Sequence, residues 1–202
     1  MNRYITEFLG TFFLMFAVAF SGDPLAIGLT LAVSIYVGGH ISGGHFNPAI
    51  SLALLLRKQM RPLDFVPYVA SQLLGASFGA LLYGVITLET FIIEPNSSFV
   101  SSSIVEVVSM MLLSLVVLSV ATAKELQGNY IYGLAIGLTY TAMLYCTKEI
   151  SGGIINPAIG VGPWLMSLVI GAKLESNLVL YLAAPFLGGV LGSIFYSVIN
   201  EE

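Results

Sequence analysis

Apolar positions in this chain form long charge-free runs. They show neither the alternation of a half-buried strand nor the one-sided stripe of a surface helix. Arg3 to Ser21 is one such run and contains a single carboxylate, Glu7. Pro24 to Leu56 holds no Asp, Glu, Lys or Arg over 33 residues, more than the about 20 that cross a bilayer. Gly38-Gly39 and Ser42-Gly43-Gly44 divide it, with Pro48 just beyond. The pattern therefore predicts a helix over 25–41, an irregular segment, and a short helix over 48–57. Phe65 to Leu88 is the third long run, Ser101 to Ala123 the fourth with Glu106 inside it, and Tyr130 to Thr147 the fifth. Ile150 to Ala172 again mixes glycines with Asn-Pro and Gly-Pro, which predicts a second irregular segment and a short helix over 157–167. Asn177 to Asn200 is the last run. The first run stands where a signal peptide would, but Glu7 and Gly10 interrupt it and the rest of the chain is equally apolar, so it reads as a span.

Composition turns these runs into membrane spans. Of 202 residues, 57% are hydrophobic and 9% charged, where a soluble domain carries about 25% charged residues. Mean hydropathy is +0.93. A soluble globular enzyme, a nucleic-acid binder and a disordered chain are excluded, and the surface must face lipid. Six spans with short loops use the whole length, so residues 1–202 read as one transmembrane domain with halves of about 1–90 and 100–202. Arg3, Arg57, Lys58, Arg61 and Lys124 fall on the side of the N-terminus, and Lys148 and Lys173 on the other. That bias places both termini in the cytoplasm, in a plasma or inner membrane. One cysteine, Cys146, excludes an internal disulfide, and its apolar helix predicts core packing. Two histidines, His40 and His45, are too few for a metal site, and no cofactor is expected.

The chain repeats itself. Leu25-Ala-Ile-Gly-Leu-Thr30 recurs as Leu134-Ala-Ile-Gly-Leu-Thr139, and Ser42-Gly-Gly-His-Phe-Asn-Pro-Ala-Ile50 as Ser151-Gly-Gly-Ile-Ile-Asn-Pro-Ala-Ile159, both 109 residues apart. Gly75-x3-Gly79-x3-Tyr83 likewise matches Gly188-x3-Gly192-x3-Tyr196, 113 apart. Each half holds three full spans and one short helix. Three is odd, so the halves enter from opposite sides and are inverted. The fold class is an all-α membrane protein of six transmembrane helices plus two half-helices that meet near the midplane.

Two Asn-Pro-Ala motifs, Asn47-Pro48-Ala49 and Asn156-Pro157-Ala158, each follow Ser-Gly-Gly in inverted halves, and the chain opens with Thr6-Glu7-Phe8-Leu9-Gly10-Thr11-Phe12. Over essentially its whole length the sequence resembles the aquaporin, or major intrinsic protein, family. The resemblance implies an aquaporin-like fold, a passive channel for water and small neutral solutes in a lipid bilayer, and a homotetramer with a pore in each subunit.

Chemistry supports that reading. Asn is a favoured N-cap and Pro a favoured first helical residue, so Asn-Pro starts a helix at a fixed point. Two such starts at the midplane bring two positive helix-dipole ends to one spot and repel cations. Each Asn amide can donate a hydrogen bond into the pore. The carbonyls of residues 42–46 and 151–155, among them those of Gly43, Gly44, His45, Gly152 and Gly153, precede the helix starts and must line a wet cavity or be buried. Glu7 and Glu106 are costly in lipid; they are either a proton relay or braces for the irregular segments, and the resemblance implies braces. His45 either faces the pore or packs in its loop, and the resemblance favours the pore.

The sequence departs from its relatives at the outer filter. Most members carry Arg after the second Asn-Pro-Ala, where this chain has Ile159. Carried over by position from each motif Asn, the filter is Ile27, Leu144, Gly153 and Ile159, a set with no charge and no side-chain donor. It predicts a wider, more apolar filter open to glycerol, urea, hydrogen peroxide or ammonia. Gly160 stands where the glycerol branch has Asp. Lys148 reads as a solvated loop lysine in preference to a vestibule charge. The alternative function is a coupled secondary transporter, which would need an ionisable pair in the pore. No Ser–His pair, paired Asp or His-Glu-x-x-His pattern supports an enzyme.

Overall fold

A computed structural model describes residues 1–171 and 177–200. Ala172 and Lys173, which enter the readings of the second irregular segment and of the charge bias, lie outside them. The described residues form eight α-helices: α1 (Asn2–Phe20), α2 (Pro24–Ser42), α3 (Pro48–Leu56), α4 (Pro62–Thr87), α5 (Phe99–Thr122), α6 (Tyr132–Ser151), α7 (Pro157–Ile170) and α8 (Leu178–Ile199). Six are long and two, α3 and α7, are short. Five of the long helices are apolar enough to cross a membrane on length and composition alone. The sixth, α6, ends in Lys148 and Glu149 and carries Thr139, Thr141 and Thr147.

Three boundaries differ from the sequence reading. Helix α6 continues four residues past Thr147 and stops at Gly152, whose left-handed φ of 85° lets its N–H reach Lys148 O. Helix α2 ends the same way at Gly43, φ 91°, on Gly39 O. The stop is set by the glycine cap, so the charges of Lys148 and Glu149 do not end the helix. Lys148 is therefore a helical residue. Helix α7 runs through Pro163 to Ile170. Cys146 is exposed, contrary to the core packing expected of it. In a membrane helix the apolar side chains face lipid as readily as the core, so apolar surroundings in sequence do not imply burial.

Glycines set the packing. A Cβ at Gly75 would stand 2.3 Å from Phe8 O, and one at Gly79 2.7 Å from Met15 Cβ, so α1 and α4 cross backbone to backbone. The other half repeats this: a Cβ at Gly188 would stand 2.5 Å from Val107 O and one at Gly192 2.6 Å from Ser114 Cβ, joining α5 to α8. Between the halves, Gly28 and Gly137 face one another, each Cβ position lying 2.4 Å from the other's carbonyl oxygen. They are equivalent residues of the two repeats, so α2 and α6 meet on the pseudo-twofold axis. Each short helix also packs on glycine: α7 on α4 at Gly162–Ala76, and α3 on α8 at Gly189–Ala49. A Gly75→Val variant is expected to lower the thermal midpoint in detergent sharply, with a loss of about 3 kcal/mol or more, because the clash is with backbone that cannot rotate away.

The outer surface is apolar. Val33 is 60% exposed, Val66 72% and Val179 67%, as a bilayer requires. On the N-terminal face, Asp64 accepts from Arg3 Nη1 and Arg61 Nε at 2.8 Å each and from Tyr4 Oη at 3.0 Å, tying the starts of α1 and α4 together.

Candidate functional site

The two irregular segments, residues 43–47 and 152–156, have the same backbone. Gly43 and Gly44 have φ of 91° and 65°, Gly152 and Gly153 of 85° and 64°, and Phe46 and Ile155 both 49°. A β-branched residue with positive φ is strained, so Ile155 must be held. Glu106 Oε2 accepts its N–H at 2.6 Å, and Asn47 Nδ2 donates to its carbonyl at 2.9 Å. Phe46 is held identically, its N–H donating to Glu7 Oε2 at 2.7 Å and its carbonyl accepting from Asn156 Nδ2 at 2.9 Å. Each half thus pins the bend of the other through its motif Asn.

Glu7 and Glu106 are both 0% exposed. Glu7 accepts from Ser42 Oγ, the N–H groups of His45 and Phe46, and Gln72 Nε2, at 2.6 to 3.0 Å. Glu106 accepts from Ser151 Oγ and the N–H groups of Ile154 and Ile155, at 2.6 to 3.0 Å. These bonds replace the hydration each carboxylate gives up. Neither carboxylate is among the residues that line the two cavities approaching the motifs.

The motif side chains also cap. Asn47 Oδ1 accepts Ala49 N–H at 2.8 Å and Asn156 Oδ1 accepts Ala158 N–H at 2.9 Å, with Pro48 and Pro157 at the first helical positions. Each Asn amide has one remaining N–H. That of Asn47 meets the weak acceptor Met110 Sδ at 3.8 Å.

Two cavities approach this centre from opposite faces. The one on the N-terminal face has a volume of about 430 Å³ and reaches Asn47, Asn156, Gly43, Gly44 and His45. The far-face cavity has a volume of about 310 Å³ and includes Ile27, Leu144, Gly152, Gly153 and Lys148. Three of the four filter residues named from sequence thus come together. Ile159, on the first turn of α7, is fully buried and lines neither cavity. Lys148 stands in the far-face vestibule and donates to Gly22 O at 2.9 Å; it is exposed, as a solvated lysine should be, but lies on helix α6 and not in a loop. His45 is 9% exposed, with Nδ1 3.0 Å from Ser51 Oγ.

Several contributors were not singled out in the sequence. Tyr68 Oη donates to Ser42 O and Tyr181 Oη to Ser151 O, both at 2.7 Å. The two tyrosines are 113 residues apart, the spacing of the glycine repeat, and that was the available signal. Tyr140, Gln72 and Ser51 have no counterpart of their own kind in the other repeat. Gly160 lies where a Cβ would stand 2.5 Å from Tyr181 Cβ, so an Asp there would not fit this packing.

Comparison with known proteins agrees. Residues 1–196 match the sequence model of the major intrinsic protein family. The chain is 33% identical to glycerol uptake facilitator protein-like 6 of Lactiplantibacillus plantarum, covering all of both chains. The chain belongs to the major intrinsic protein family. It is 31% identical to aquaporin AqpM of Methanothermobacter marburgensis, over all of this chain and 98% of that one. The X-ray structure of the aquaglyceroporin from Plasmodium falciparum superposes with a TM-score of 0.82 at 25% identity, over all of this chain and 95% of that one. As a member, the protein is a multi-pass membrane channel for water and small solutes, not an enzyme. The all-helical fold with two half-helices is the aquaporin fold.

Proposed function

We propose that the channel conducts small uncharged solutes, glycerol, urea, hydrogen peroxide and ammonia among them, through an apolar filter formed by Ile27, Leu144, Gly153 and Ile159. The observation that carries this reading is the far-face cavity, where Ile27, Leu144 and Gly153 meet and the charged residues of the lining, Glu94 and Lys148, stand at none of the four filter positions. Such a filter offers no fixed donor fork, so selection there rests on size and on backbone carbonyls. Ions are excluded instead by the paired N-termini of α3 and α7 and by Asn47 and Asn156. Glu7 and Glu106 are structural braces in this reading, since both are bonded on both oxygens and touch neither cavity.

The channel sits in a plasma or inner membrane with its termini cytoplasmic, a placement supported by Arg3, Arg57, Lys58, Arg61 and Lys124 on one face. A homotetramer is supported by an apolar groove of about 600 Å³ between α1 and α2, lined by Phe13, Leu29, Val33 and Val37, which a second copy would cover.

Stopped-flow light scattering of proteoliposomes with water, glycerol and urea is the test. Fast, non-saturating glycerol or urea flux is expected. Ile159→Arg is expected to lower it about tenfold or more, by placing a charged fork where no solute donor competes. Unchanged flux in Ile159→Arg would remove Ile159 from the filter, and flux driven by a proton or sodium gradient would favour coupled transport.

A further inference from the structure

The two cavities share no lining residue, and a boundary runs between them. The boundary lies on α2 between Leu31, in the N-terminal-face cavity, and Ile27, in the far-face cavity. On α6 it lies between Tyr140 and Leu144, in the same order. Each gap is four residues, about one helical turn or ~6 Å. Gly28 and Gly137 bring α2 and α6 into backbone contact beside this level, so Leu31 and Tyr140, each three residues on, face the pore from equivalent positions of the two repeats.

They are equivalent in place and different in chemistry. Tyr140 is 1% exposed and donates its hydroxyl proton to Ile154 O at 2.7 Å. Ile154 is one of the irregular-segment residues whose carbonyl a permeating solute would otherwise meet. Its counterpart in the first repeat is His45, and the residue equivalent to Tyr140 there is Leu31, which has no hydroxyl to give. Among Ile27, Leu31, Tyr140, Leu144 and Ile159, the phenol is the one polar side-chain group. With its proton committed to Ile154 O, its oxygen can act toward the pore only as an acceptor.

We propose that Tyr140 is a specificity-determining residue of the channel, a second constriction between the apolar filter and the paired Asn side chains. Its ring sets the size limit and its phenol oxygen offers a side-chain acceptor toward the pore at this level. The favoured solutes are small neutral molecules with two or more hydrogen-bond donors: one donor binds the phenol oxygen while another holds the neighbouring water or carbonyl. An apolar gap alone dewets and closes; an acceptor within it keeps a hydrogen-bonded file intact. This rests on the channel reading above.

The test uses the full-length protein in proteoliposomes with water, urea, glycerol and the four-carbon polyol erythritol. Tyr140→Leu, which copies the side chain of the other repeat, removes the bulk. It is expected to raise erythritol permeability relative to water about tenfold. Tyr140→Phe keeps the ring, which still covers the Ile154 carbonyl, and removes the acceptor. It is expected to lower urea and glycerol permeability about fivefold, the worth of one ordinary hydrogen bond, without moving the size limit. If wild-type protein conducts and both variants keep its permeability ratios, Tyr140 has no such role and the channel reading stands. If wild type blocks glycerol and Tyr140→Leu conducts it, Tyr140 is the constriction and the wide-filter reading falls. Should Tyr140→Leu fail to fold, unchanged urea and glycerol flux in Tyr140→Phe overturns the proposal, and the expected fall upholds it.

Discussion

Replacement of Glu106 by leucine is expected to prevent the second half of the channel from assembling. The substitution removes the acceptor of Ser151 Oγ and of the N–H groups of Ile154 and Ile155. Each buried donor left unpaired costs about 1–3 kcal/mol, and a domain holds only about 5–15 kcal/mol in total. The strained bend at Ile155 loses its anchor as well, and because Asn47 is hydrogen-bonded to that residue the first half is disturbed too. A monodisperse detergent-solubilised protein should be lost, or its thermal midpoint should fall by tens of degrees. Glu106→Gln keeps one side-chain acceptor and should be intermediate. The pair also separates a brace from a proton relay. If Glu106→Gln folds and conducts like wild type, no proton passes through this group. If it folds normally but abolishes flux, the carboxylate acts in transport and its assignment as a brace is wrong.

Asn156→Asp is expected to open the channel to cations. The carboxylate keeps the cap on Ala158 N–H and loses the donor to Phe46 O. It also sits between the N-termini of α3 and α7. Two helix ends carry about half a positive charge each, so one carboxylate cancels the field they create. For a cation ~5 Å away at an effective dielectric of ~20 that field is worth ~3 kcal/mol, about a hundredfold in flux. An internal pH dye and a membrane-potential dye should register proton and cation leak in the variant and none in wild type. Leak already present in wild type would mean that the missing filter Arg was needed for charge exclusion.

Most of the architecture was legible in the chain. The six long runs, the two breaks and the duplicated motifs specify spans, half-helices and inversion, because a bilayer permits few ways to satisfy a backbone. Of the four positions carried over from the family, Ile27, Leu144 and Gly153 line one cavity and Ile159 does not. Reading failed where the signal was not local. From sequence Lys148 reads as a loop residue; it lies on α6, which a left-handed glycine terminates, and its ammonium reaches Gly22 O. Apolar neighbours predict a core position for Cys146, but a helix in lipid is apolar on both faces and the residue is exposed. Tyr140 looked like any residue of an apolar helix until the fold brought its hydroxyl to Ile154.

While the channel function and the missing filter Arg are what its resemblance to the family implies, the sequence by itself determined a duplicated, inverted membrane chain with two capped half-helices. Those properties depend on hydropathy, spacing and the presence of particular side chains, all of which are local. The tertiary structure decided which groups satisfy one another across the pseudo-twofold axis: Asn47 with Ile155, Asn156 with Phe46, the two carboxylates with the amides of their bends, and Tyr140 with Ile154. Buried polar groups must be paired, but the partner can stand a hundred residues away, and only packing selects it.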